Sequence, residues 1–231
     1  TKCFGKNDDG QLGLGDTTHR GIYDSQLGSN LPEVDFGSGR TAKAITAGCS
    51  HTCGLLDDGS VKCFGYNNYG QLGQGSTKDI GDKSGQMGNN LKAVSLGSTK
   101  VVAIAAGCDF TCAVKKDGAV VCWGRNTWGQ LGTGDDEDRL DDGNKVLKSV
   151  NLGGSSAIAI AAGEAHVCVL TKDKSVKCWG RNNRGQLGLG DDTDRGDDAS
   201  LLGSKLKAVS LGSGDTPTAI DCGNEHTCVL L

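Results

Sequence analysis

Apolar positions along the chain fall into short runs separated by polar, glycine-rich stretches. Leu91–Leu96 alternates apolar with polar residues, the period of a half-buried strand. Val101–Ala106 is continuously apolar, which predicts a strand buried on both faces. Thr111–Val114 and Ala119–Trp123 flank Lys116-Asp117-Gly118, a three-residue hairpin loop with glycine at the left-handed position. A long polar loop then leads to the next such set, so each unit reads as four short antiparallel strands. Outer strands recur near Leu31, Leu147 and Leu206, and inner ones at Ala44–Ala47, Ala157–Ile160 and Thr218–Ile220. The third hairpin carries Lys172-Asp173-Lys174, without glycine, which predicts strain or another turn type.

The units are copies. Gly-Gln-Leu-Gly occurs at 10–13, 70–73, 129–132 and 185–188, each time after a Cys-aromatic-Gly triplet beginning at Cys3, Cys63, Cys122 or Cys178. A long fixed period means stacked supersecondary units. A small sheet cannot bury both faces alone, so the expected fold is all-β: a propeller of about four blades, each a four-stranded antiparallel sheet. Residues 1–231 form one repeat domain with units at 1–30 plus 206–231, 31–90, 91–146 and 147–205. The first unit is split between the termini, because the end at His226–Leu231 and the start at Thr1–Gly5 lack only a hairpin tip between them. Their pairing within one chain closes a ring. Pairing between chains gives an open arc or a fibre.

Composition narrows the function. The 231 residues include 38 glycines and carry a net charge of −4, which opposes a nucleic-acid surface. No apolar run reaches membrane-spanning length, so no membrane insertion is expected. No nucleophile elbow, phosphate loop or dinucleotide fingerprint is present, and the expectation is a non-enzyme without a cofactor.

Cysteine carries the sharpest local signal. Cys53 and Cys63, Cys112 and Cys122, and Cys168 and Cys178 each stand ten residues apart around a hairpin. Across a three-residue loop they face each other at disulfide distance, which points to an oxidising compartment. Buried thiols in a reducing compartment are the alternative. Cys3 and Cys228 form a fourth pair if the split blade closes. Cys49, Cys108 and Cys222 remain, with the first two at equivalent places in adjacent units. Cys49, His51 and Cys53 lie on one side of a strand and could bind zinc, but the next unit has Phe110 for His51, so packing is the better reading.

The loops between units hold the acidic charge: Asp135, Asp136 and Asp138 in a run that continues through Asp142, then Asp191, Asp192, Asp194 and Asp197. Calcium is a weak possibility there; a solvated loop is the simpler reading. Arg195-Gly196-Asp197 matches an integrin-binding tripeptide, also a composition that tight turns favour. These residues, and the loops 14–30, 74–90, 133–145 and 189–205, are the expected contact surfaces.

Ala47-Gly48-Cys49-Ser50-His51-Thr52, then Asp58-Gly59-Ser60-Val61-Lys62-Cys63-Phe64-Gly65-Tyr66-Asn67, then Gly70-Gln71-Leu72-Gly73 resembles the regulator of chromosome condensation repeat. The resemblance covers essentially the whole chain and implies a propeller, commonly of seven blades. Family members include a nucleotide exchange factor, a photoreceptor and cell-surface receptors. The paired cysteines look like those of its plant receptor-kinase ectodomains. The expected function is an extracellular or cell-surface, disulfide-braced module that binds protein or assembles with itself. A fibre or coat building block is one alternative; an intracellular exchange-factor-like regulator of a small GTPase is another.

Overall fold

A computed structural model describes residues 1–139 and 147–231. Among these, the chain forms an arc of antiparallel sheets. The first holds β1 (Ala42–Ala47), β2 (His51–Leu56) and β3 (Val61–Gly65). The second holds β4 (Val101–Ala106), β5 (Phe110–Lys115) and β6 (Val120–Gly124). The third holds β7 (Ala157–Ala162), β8 (His166–Thr171) and β9 (Val176–Gly180), and β10 (Ala219–Cys222) pairs with β11 (Thr227–Leu230). First strands of successive sheets, β1, β4, β7 and β10, are neighbours around the inside of the arc.

The four-stranded sheet expected from sequence is corrected to three strands. The alternating outer segments do not become full strands, because each is tied to the sheet by little more than one backbone bond. Val94 N–H donates to Val61 O at 2.8 Å, Val150 to Val120 at 2.8 Å, and Val209 to Val176 at 2.8 Å. Their apolar side chains are nevertheless buried, as at Leu91, Val94 and Leu96. Each outer segment thus finishes the sheet that precedes it in sequence. The inner strands are also less buried than their apolar run suggests. A β-bulge shifts the register at Lys43, Val102 and Ile158, leaving one unpaired residue that turns outward. Val102 is 50% exposed and Ile158 42% for this reason.

Within this chain the two end segments do not pair. Thr1–Gly5 makes no backbone bond to His226–Leu231; its partners are Val34, whose N–H donates to Thr1 O at 2.8 Å, and Arg20, which bridges to Gly5. Cys3 and Cys228 are free thiols, so the fourth hairpin disulfide is absent. Cys3 packs on the core beside the first sheet, whereas Val229 packs on the core beside the third.

What joins the sheets is an aromatic side chain inserted over the preceding Gly-Gln-Leu-Gly turn. Trp123 Nε1–H donates to Gln71 O at 2.9 Å, and Trp179 Nε1–H to Gln130 O at 3.0 Å. A Cβ at Gly73 would stand 3.0 Å from the Trp123 indole nitrogen, and one at Gly132 would stand 2.9 Å from that of Trp179, so only glycine fits. Phe64 covers Gly13 in the same way, without the hydrogen bond. A second contact runs beside the first. His51 Nε2 lies 2.9 Å from the Thr111 hydroxyl, which donates to Gln71 O at 3.0 Å. His166 meets Thr227 at 3.0 Å in the same manner. Between the second and third sheets this pair is replaced by Phe110 and Val167, both in one apolar core. One polar contact has been exchanged for an apolar one, partner by partner.

Lys174 takes φ +62, keeping the hairpin geometry that glycine supplies at Gly59 and Gly118. The turn type is therefore retained, and the strain expected from sequence sits on Lys174. Lys174→Gly should raise the unfolding free energy by about 1 kcal/mol, measured by denaturant titration. Trp123→Ala should lower it by about 4 kcal/mol, from lost burial and an emptied socket. Burial drives the His51 pKa from 6.5 to about 4, the Cys108 backbone offsetting this in part. Burial, then the neighbouring His226 charge, lowers His166 to about 4 as well. Both folded-state values lie below the unfolded value. Stability is therefore full above pH 6.5 and falls as pH drops toward 4, on the order of 3 kcal/mol for His51 alone. Titrating His51→Asn beside the parent chain should show a shallower acid slope.

Candidate protein-binding face

Four turns, one from each sheet, meet on one face of the arc: Gly48–Ser50, Gly107–Asp109, Gly163–Ala165 and Gly223–Glu225. They are stitched in sequence by backbone bonds. Cys49 N–H donates to Cys108 O at 3.3 Å, Cys108 to Glu164 at 3.1 Å, and Glu164 to Asn224 at 2.9 Å. They surround an opening of about 230 Å³. Gly163 is required here because a Cβ would overlap the His166 ring folded back on the turn.

Outside these turns runs a second row of residues. Arg125 N–H donates to Asp109 O at 3.0 Å and Arg181 to Ala165 O at 2.9 Å, which sets each arginine beside its turn. The Arg125 guanidinium lies 4.9 Å from the Tyr69 ring centroid, and that of Arg181 lies 4.9 Å from the Trp128 ring. Each arginine thus reaches back onto the aromatic of the preceding unit, a cation–π contact. Carboxylates hold the other side: Asp109 at 3.4 Å from Arg125, Glu164 at 3.9 Å and Glu225 at 3.7 Å from Arg181. Trp128 stays 39% exposed. The row is an alternation of rigid aromatic and arginine groups, the side chains that dominate protein interfaces.

The acidic loops serve mainly to hold this row in place. Asn126 is fully buried; its N–H donates to Asp138 at 2.7 Å, and its amide donates to Asp135 O at 2.7 Å while accepting from Leu131 N–H at 2.9 Å. Asn182 repeats this with Asp194 at 2.6 Å, Asp191 at 2.9 Å and Leu187 at 3.0 Å. Arg139 pairs with Asp135 at 2.6 Å and Arg195 with Asp191 at 2.8 Å. Arg195 also donates to Thr193 O at 2.7 Å, and its backbone bridges to Gly180, so the arginine of the Arg-Gly-Asp tripeptide is committed inside the fold. Asp136, Asp192 and Asp197 remain exposed. The part of the first acidic run at 140–146, with Asp141 and Asp142, lies outside the described residues.

The hairpin disulfides Cys53–Cys63, Cys112–Cys122 and Cys168–Cys178 are formed, each with Cα atoms 4.1 Å apart. A fourth, Cys49–Cys108, spans two sheets with Cα atoms 4.5 Å apart, and the sequence reading missed it. The signal was available: two cysteines at one place in adjacent units must sit side by side wherever units stack. The candidate zinc set is dispersed, since Cys49, His51 and Cys53 turn to Cys108, Thr111 and Cys63. His166, Cys168 and Cys222 converge within 4.8 Å, but Cys168 is spent in its disulfide. Desolvation by burial raises the Cys222 thiol to about 11, a weak nucleophile.

The four disulfides should open in a set order. Cys53, Cys63, Cys112, Cys122, Cys168 and Cys178 are at most 1% exposed, whereas Cys49 is at the surface. Under graded phosphine reduction with mass mapping, Cys49–Cys108 opens first. Its 59-residue loop also makes it the most stabilising, about 4 kcal/mol against about 3 for a hairpin bridge.

Known proteins share the repeat and the fold. The regulator of chromosome condensation (RCC1) repeat profile matches residues 3–55, 58–114, 117–170 and 175–230. The ultraviolet-B receptor UVR8 of Arabidopsis thaliana is 33% identical over 229 residues, 99% of this chain and 46% of the receptor. The probable E3 ubiquitin-protein ligase HERC4 of Homo sapiens is 31% identical over 272 residues, 99% of this chain and 24% of the ligase. The chain thus spans less than half the length of these relatives. Among solved structures, Prp20p of Saccharomyces cerevisiae, described with its binding to Gsp1p and histones, superposes at a TM-score of 0.63 with 27% identity. The superposition covers 83% of this chain and 42% of Prp20p. With the repeat matched along its length and the sheets stacked as an arc of propeller blades, the chain belongs to the RCC1 repeat family.

Proposed function

We propose that this chain is a disulfide-braced protein-binding module that works in an oxidising, extracellular or cell-surface setting and grips a folded protein through the Tyr69, Arg125, Trp128 and Arg181 row. The row is the observation that carries the reading: it is rigid, half-exposed and composed of anchor residues. Its neighbours Asp109, Glu164 and Glu225 hold the guanidinium groups in place before binding, so little side-chain entropy is lost on contact. The compartment rests on the disulfides, which favour secretion over a reducing interior. The exposed Asp136, Asp192 and Asp197 supply the polar rim of the interface.

A second reading follows from Prp20p. A protein 27% identical to this chain has binding properties toward Gsp1p and histones, which supports an intracellular regulator of a comparable partner.

Affinity capture from the extracellular fraction and from cytosol should be run with the parent chain, Trp128→Ala, Arg181→Glu and Asp192→Asn. The proposal expects a partner in the extracellular fraction whose affinity drops about 30-fold with Trp128→Ala and changes little with Asp192→Asn. Direct binding to Gsp1p or histones, with thiols free in protein recovered from its source, would replace it with the second reading.

A further inference from the structure

Cys222 breaks the repeat at its place in the inner strand. The equivalent residues of the other sheets are alanines: Ala47 faces Thr52, Ala106 faces Thr111 and Ala162 faces Val167. In β10 the residue is Cys222, facing Thr227, and it is a free thiol. Its side chain packs back against the core that holds Cys168, Cys178 and Leu187.

A hairpin disulfide lies within reach of that thiol. Cys222 Sγ, Cys168 Sγ and a His166 ring nitrogen all lie within 4.8 Å of one another. The Thr227 hydroxyl stands among them, 3.9 Å from Cys222 Sγ, 3.5 Å from Cys168 Sγ and 3.0 Å from His166 Nε2. Between the first two sheets the Thr111 hydroxyl meets a bridge in the same way, 3.7 Å from Cys53 Sγ. There the neighbouring strand supplies Ala106 and no thiol. The third bridge is thus set beside a sulfur nucleophile where the first is set beside a methyl group.

We propose that Cys222 is an internal exchange site: its thiolate attacks Cys168 Sγ and moves the bridge from Cys168–Cys178 within the hairpin to Cys168–Cys222 between sheets. The balance is internal. Cys222 gives its proton to water, the Cys222–Cys168 bond forms as the Cys168–Cys178 bond breaks, and Cys178 leaves as a thiolate that takes a proton from water. No outside oxidant or reductant enters. Both bridges join sulfurs that the fold already holds in place, so neither carries a loop-closure cost in the folded chain. The new bridge ties β8 to β10, as Cys49–Cys108 ties the first two sheets. It sits directly before the turn Gly223–Glu225, whose Glu225 stands 3.7 Å from Arg181. Burial keeps the exchange slow. Desolvation raises the Cys222 thiol to about 11, with Asp221 and Cys228 adding to the rise and the Thr227 hydroxyl and Cys168 backbone offsetting part of it. From β8 the facing titratable group is His166, neutral above about pH 4, and β7 brings none. Below the thiol's own value each pH unit multiplies the thiolate, and with it the rate, about tenfold.

The test mixes isotopically light and heavy preparations of the 231-residue chain at neutral pH and about two pH units higher. Exchange is stopped with acid, free thiols are alkylated with N-ethylmaleimide in denaturant, and peptides are mapped without reduction. The expected product is a Cys168–Cys222 pair of one isotope with Cys178 alkylated, forming about a hundredfold faster at the higher pH. Cys222→Ala, the residue that the other sheets carry at this place, should abolish it and leave Cys168–Cys178. Cys228→Ser should leave the product in place. A second variant tests the fit without exchange. In Cys178→Ser, oxidised glutathione should join Cys168 to Cys222, the two thiols losing two protons and two electrons as the glutathione disulfide is split into two thiols. Cys168–Cys178 alone at both pH values overturns the proposal. So does Cys168 paired with Cys228 or with a second chain in place of Cys222, or a folded Cys178→Ser chain whose Cys168 and Cys222 both stay free. None of these outcomes depends on the binding face, which Trp128→Ala probes separately.

Discussion

Everything in this fold depends on an aromatic ring set into a neighbour's turn. A three-stranded sheet has two faces and too little area to bury either by itself. The Gly-Gln-Leu-Gly turn solves this by removing side chains where the next unit's ring arrives and by offering a carbonyl, at Gln71 or Gln130, that an indole can reach. Trp123 and Trp179 are then fully buried although each sits near the rim of its own sheet. The core of this protein lies between units, and a unit is stable through its neighbours.

The same dependence shows in one matched exchange between units. Where a histidine meets a threonine across the interface, as with His51 and Thr111, the contact is polar and the imidazole is buried neutral. Where phenylalanine replaces the histidine at Phe110, valine replaces the threonine at Val167. An unmatched swap would bury a hydroxyl or an imidazole without a partner, which costs about 1–3 kcal/mol.

Much of this was legible in the chain. Period, hairpin turns and the ten-residue cysteine spacing each encode contacts inside one unit, and such contacts leave a local pattern. Contacts between units leave none in a single window. Cys49 and Cys108 are unremarkable apart and bonded once stacked. Arg181 on Trp128 joins residues of different units, and neither residue signals the other. The outer strands failed for another reason: alternation in Leu91–Leu96 reports which side chains are buried, and it does not report how many ladder bonds the backbone makes. The acidic loops invited a ligand-binding reading because charge is visible in sequence. Their use in pinning Asn126 and Asn182 is visible only once the chain is folded.

The cross-sheet bond Cys49–Cys108 has a mechanical consequence. A tensile load applied between the ends of the chain cannot extend the 59 residues it spans. At roughly 3.5 Å per residue that is about 200 Å of stored contour length withheld from stretching. The hairpin bridges lock only ten residues each, and all of those outside this span lie in the third sheet or the second hairpin. The molecule is therefore stiffest where its first two sheets adjoin and more extensible in the stretches that no bridge spans, among them β10 and β11. Under shear those stretches yield before the bridged span, as a slack spring yields beside a welded joint.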